Sequence, residues 1–136
     1  MGTVRQQVGI VAGTRDVWRA LTTGEGVARW WATEARVDAR DGGLIVLVEE
    51  DAEGRREQRG LFHEVRPVRK IELALDHRGG GPDATSRVCF TVARDGDETR
   101  VAMTASAAAW DDEAVRQAAD QRWKVRLEKL RGVLEG

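Results

Sequence analysis

The chain has 136 residues, 41% of them hydrophobic and 33% charged, with a formal net charge of -1. That length suits one compact domain, residues 1–136, able to bury roughly two-thirds of its unfolded surface, and the composition excludes a disordered chain. Near-neutral charge provides no general attraction to nucleic acid or to an anionic membrane, and no apolar run reaches membrane-spanning length. Arginine supplies 19 of the 22 basic residues, interleaved with acids as in a solvated, ion-paired surface.

Val4, Gln6, Val8 and Ile10 alternate with Arg5, Gln7 and Gly9, which predicts a half-buried strand. A helix follows, with Thr14 as its cap and Val17, Trp18 and Leu21 on one face. Gly24 and Gly26 interrupt it, and Val27–Trp31 reads as a second short helix. Strands are then expected at Glu34–Ala39, Leu44–Glu50 and Glu57–Val65, with turns at Asp41-Gly42-Gly43 and Asp51–Gly54. Pro67 ends the third of these because it has no ladder donor.

Lys70–His77 is the next strand, with Ile71, Leu73 and Leu75 on one face. Arg78–Ala84 reads as a loop without the spacing of a phosphate cradle. Arg87–Ala93 and Thr99–Ser106 form a hairpin around Asp95-Gly96-Asp97, with Val88, Phe90 and Val92 facing Val101 and Met103. From Asp111 onward the period changes: Val115, Ala119, Trp123, Leu127, Leu130 and Leu134 recur at helical spacing. Asp111, Asp112 and Glu113 suit the positive end of that helix dipole. One long helix is the element able to cover the apolar face of such a meander. Ala114, Ala118 and Ala119 make its first half slender, which leaves room for a cavity against a curled sheet.

Val17 to Thr22, then Arg29-Trp30-Trp31, Gly42-Gly43 before an apolar strand, Gly60 with Glu64-Val65 and Pro67, the last hairpin, and Trp123 follow one another in a recognisable order. Together they resemble the START-like (SRPBCC) helix-grip superfamily, in particular the family named after the activator of Hsp90 ATPase. The resemblance covers nearly the whole chain. It implies an α+β helix-grip fold: a curved antiparallel sheet of about seven strands wrapped on a long C-terminal helix, with two short helices after the first strand. It also implies a hydrophobic pocket between sheet and helix. The superfamily includes carriers, receptors and cyclases, so membership leaves the activity open.

The expected pocket lining is Trp31, Ile45, Leu47, Ile71, Leu73, Phe90, Met103, Ala119 and Trp123. Trp31 and Trp123 are placed at its mouth, where an indole offers an apolar face and one donor. Glu49 continues the Ile45 and Leu47 side of its strand, and His63 shares parity with Leu61 and Val65. If both point inward they form an acid-base pair; the plainer alternative is a solvated Glu49 beside the turn and a non-catalytic strand histidine. His77 reads as exposed.

Cys89 sits in a strand without a nearby base, as a structural thiol does. A lone cysteine and an N-terminus without a signal-peptide segment point to a cytoplasmic protein. Neither a metal site nor a cofactor is expected from two histidines and one cysteine. Three functions compete. The first is binding of a small hydrophobic molecule; the second is a cyclase- or dehydratase-like reaction through Glu49 and His63. The third is a protein-interaction module, either co-chaperone-like or a homodimer covering Leu44, Val46 and Val48 on the outer sheet face. The chain has no tyrosine to polarise a carbonyl, which counts against the second.

Overall fold

The computed structural model describes residues 2–77 and 85–136; residues 78–84, where the sequence predicts a loop, and the side chains of His77 and Thr85 lie outside the described residues. Seven strands, β1 (Gly2–Ile10), β2 (Glu34–Val37), β3 (Leu44–Asp51), β4 (Gly54–Arg66), β5 (Lys70–His77), β6 (Thr85–Asp95) and β7 (Glu98–Ala107), form one antiparallel sheet. Their order is β1-β7-β6-β5-β4-β3-β2. Consecutive strands from β2 to β7 are neighbours, and β1 closes against β7. Helices α1 (Thr14–Thr22) and α2 (Gly24–Val27) fill the connection from β1 to β2, and α3 (Glu113–Glu135) closes the chain. The expected helix-grip architecture is therefore present.

Local chemistry explains most element boundaries and corrects some expected ones. Gly13, not Thr14, stands at the N-cap of α1, without a side-chain cap bond. Thr23 caps α2 by accepting from the Gly26 N–H at 3.0 Å. The second helix thus begins at Gly24 and ends at Val27, and a further turn carries the chain to Trp31, whose N–H donates to the Val27 carbonyl at 2.9 Å. Asp112 is the cap of α3 and accepts from the Ala114 and Val115 N–H groups. An extra 3-10 turn at Ala108–Asp111, not expected from the sequence, buries Trp110 between β7 and α3.

Ala119, Trp123, Leu127 and Leu130 are buried on one face of α3, as their spacing predicts. They share a core with Ile71, Leu73, Val88, Phe90 and Met103 from the sheet. Trp30 seals the other side, its indole N–H donating to the Ala20 carbonyl at 2.8 Å. Strand β4 departs from expectation. Phe62 is buried opposite Leu73, and the register shifts between Phe62 and Glu64, so His63 is the unpaired bulge residue and is exposed. A bulge adds one residue to one strand and reverses side-chain parity beyond it. Leu61 consequently faces solvent, whereas Val65 returns to the core side.

Candidate functional site

A cleft of about 880 Å³ opens between α3 and the tip of the β3–β4 hairpin. The segment after α2 supplies its apolar floor: Ala28, Trp31, Ala32 and Thr33 border it. That segment is pinned to β3 at both ends of Thr33. The Thr33 N–H donates to the Val48 carbonyl at 2.8 Å, and its hydroxyl accepts from the Glu50 N–H at 3.0 Å. These bonds fix Trp31 beside Glu49. Alternation from Ile45 and Leu47 turns Glu49 toward α3, at the point where the apolar row on β3 ends.

The helix wall of the cleft consists of Ala118, Gln121, Arg122, Val125, Arg126 and Lys129. Arg126 lies one turn beyond Trp123, with its guanidinium carbon 4.8 Å from the Trp123 ring centroid. It also donates to Glu49 Oε1 at 3.2 Å, joining helix to sheet. Across the β3–β4 register Glu49 faces Arg56, whose guanidinium is 3.6 Å from its carboxylate and 2.8 Å from that of Asp51. The Asp51 carboxyl is held below its ordinary value, chiefly by its hydrogen bond with Arg56 and also by the Glu53 N–H.

Behind the floor the aromatic side chains are in direct contact. Trp31 meets Trp123 edge-on with ring centroids 5.3 Å apart, and Phe90 lies 5.8 Å from each. Such separations are those of packed rings. Trp31 is therefore a floor with one side in the core, only 4% exposed.

Trp31 and Glu49 are the two expected site residues that the structure brings together in the cleft. Ile45, Leu47, Ile71, Leu73, Phe90, Met103, Ala119 and Trp123 do not border it; all are buried in the core behind. His63 is not Glu49's partner. It lies seven residues beyond Arg56 along β4, roughly 23 Å at strand rise, exposed in its bulge. The acid-base pairing expected from the sequence is thus absent: Phe62, not Leu61, takes the core side of β4, which leaves His63 outward, and the β3–β4 register sets Glu49 opposite Arg56. Arg56, Arg122, Arg126 and Lys129 were not anticipated. Arg122 and Arg126 flanking Trp123 at helical spacing were the available signal, but the wall they face depends on where β3 ends.

Cys89 on β6 is half-buried, and burial pushes its thiol above the ordinary value while Lys70 opposes the shift. It is a structural thiol in a strand, not an activated nucleophile. Among the described residues no group of three or more His, Cys, Asp or Glu could hold a metal ion. No helix there is long and apolar enough to cross a membrane.

The profile of the family described as "Activator of Hsp90 ATPase homolog 1-like protein" matches residues 12–135. No curated protein matches the chain. Among solved structures, the chain is similar to a protein from Nitrosomonas europaea, with 19% identity, a TM-score of 0.82, and coverage of 98% of this chain and 94% of that one. It is also similar to the Aha1 dimer from Colwellia psychrerythraea, with 20% identity, a TM-score of 0.78, and coverage of 99% and 97%. DynU16, a protein of the dynemicin biosynthetic locus, matches with 21% identity and a TM-score of 0.83 over 98% of this chain. The chain spans 47% of DynU16's length. At these identities the similarity concerns the fold.

Proposed function

Because the chain belongs to the activator of Hsp90 ATPase homolog 1-like family, with the helix-grip fold, we propose that it binds a small hydrophobic molecule between the sheet and α3. The ligand enters the cleft over Trp31. One observation carries this reading: a cleft of about 880 Å³ has an apolar floor continuous with the Trp31, Trp123 and Phe90 cluster. Binding sites for small molecules usually combine such a surface with a few converging polar groups, and Glu49, Arg56 and Arg126 converge at its edge. The lone cysteine supports a cytoplasmic setting for the carrier.

Native mass spectrometry of freshly purified protein, followed by titration with neutral apolar molecules, tests the proposal. A retained small molecule, or a one-to-one complex that Trp31→Ala weakens, supports it. Empty protein that binds none of the titrated molecules overturns it. A catalytic reading through Glu49 and His63 has lost its geometry.

A second reading rests on the outer sheet face. Leu44 and Leu61 are register partners, 47% and 50% exposed, whereas Val46 and Val48, expected on the same open face, are already buried within the chain. Exposed apolar neighbours of this kind suit a contact with a second copy, and one structure similar to this chain is a dimer. Sedimentation of the wild type and of Leu44→Lys tests it. A dimer that the substitution dissociates supports the reading, and a monomer at high concentration ends it.

A further inference from the structure

We infer that the cleft selects ligands carrying a carboxylate on a flat apolar body, with Arg126 as the carboxylate anchor; this rests on the cleft being the binding site. The two walls of the cleft differ in charge. Its helix side presents Arg122, Arg126 and Lys129 with no acid among its lining residues, while its strand side presents Glu49, Glu50 and Asp51 with Arg56. The strand acids have arginine partners close in sequence: Asp51 with Arg56 at 2.8 Å, and Glu50 with Arg55 at 3.5 Å. Glu49 reaches across to Arg126. A protein carboxylate thus already sits at the lip of the apolar floor, on a guanidinium. A ligand acid lying over Trp31 would bring its own carboxylate to the same donors.

Arg126 is suited to that exchange. Stacking on Trp123 restricts its motion before any ligand arrives, which lowers the ordering cost of binding. Its side chain is 18% exposed, so water screens the contact less than at an open surface. A guanidinium matches the planar geometry of a carboxylate and can donate to both oxygens. Glu49 competes for those donors and repels an incoming anion. It therefore lowers the affinity of the acid and leaves that of a neutral ligand largely unchanged, so the selection by Arg126 operates against it.

The experiment compares naphthalene-2-carboxylate with 2-naphthalenemethanol, a neutral molecule with the same ring system. Binding is measured by calorimetry and by the indole N–H resonances of 15N-labelled protein. The Trp31 resonance should move on binding, while that of Trp110, buried in the turn before α3 and away from the cleft lining, serves as the internal reference. The acid should bind about tenfold more tightly than the alcohol, the scale of one charge-assisted hydrogen bond. Arg126→Gln should bring the ratio of the two affinities close to one, Arg126→Lys should restore part of it, and Glu49→Gln should increase it. Equal affinities in the wild type, or a ratio unmoved by Arg126→Gln and Glu49→Gln, would overturn carboxylate selection while leaving the cleft as an apolar binding site. If neither molecule moves the Trp31 resonance, the cleft itself is not the site and both readings fall.

Discussion

Arg126 on α3 and Glu49 on β3 meet at 3.2 Å although 77 positions separate them in the chain. Their side chains are 18% and 28% exposed, and this contact ties the helix to the tip of the sheet above the aromatic cluster. A partly exposed pair contributes little to stability because solvent screening and side-chain ordering offset the attraction. A double-mutant cycle of Glu49→Gln and Arg126→Gln in urea should therefore give a coupling of about 1 kcal/mol or less. A coupling several times larger would mean that the pair holds the fold together rather than serving the cleft.

Trp123 is 3% exposed and contacts both Trp31 and Phe90. Trp123→Ala should cost about 3–5 kcal/mol in urea unfolding, the usual penalty for emptying a packed aromatic site. A loss below about 1 kcal/mol would indicate that the ring borders open space and that the core behind the cleft is incomplete.

Gly60 lies in the middle of β4, opposite Ile45 and Leu75. A methyl group there would collide with the carbonyl oxygen of Ala74. Glycine inside a strand commonly marks such a close approach of backbones. Gly60→Ala should destabilise the protein by about 1–3 kcal/mol, while Gly132→Ala, where a methyl meets no atom, should leave stability equal or slightly higher. Thermal unfolding of the two variants checks the contrast.

Stability should also fall on the acid side through Glu135. Its Oε2 accepts from the Val11 N–H at 2.9 Å, tying the end of α3 to the chain after β1. That backbone bond, aided by Arg131, holds the carboxyl below its usual value of 4.5. At intermediate pH the unfolded chain binds more protons at this group than the folded one. The contribution is therefore fully present above 4.5 and is lost as pH falls through the lowered folded value. Glu135→Gln should flatten this acid limb in denaturation curves taken from pH 6 to pH 3, and an unchanged limb would remove Glu135 from the account.

The order of elements was legible because each is written in a local pattern. Ala119, Trp123, Leu127 and Leu130 recur at helical spacing, and the face they predict is the one α3 buries. Val88, Phe90, Val101 and Met103 likewise face the core as their alternation requires. The β4 segment was harder. Leu61 and Phe62 are adjacent, so either parity places one apolar residue inward. The bulge at His63 then lets both Phe62 and Val65 reach the core. A sequence pattern with an unmarked extra residue supports two registers equally well, and packing of the larger aromatic side chain selects one.

What the sequence determined by itself is the order of strands and α-helices, the apolar face of most of them and, through its motifs, the family. These follow from spacings of two to four residues, which act within a strand or a helical turn. The site was decided only by tertiary structure. Trp31, Glu49, Arg56 and Arg126 come from four separate segments, and their meeting depends on where β3 runs out of apolar residues and on how far α3 lies from its tip. No local period carries that information, because distances between segments are set by the packing of the whole core.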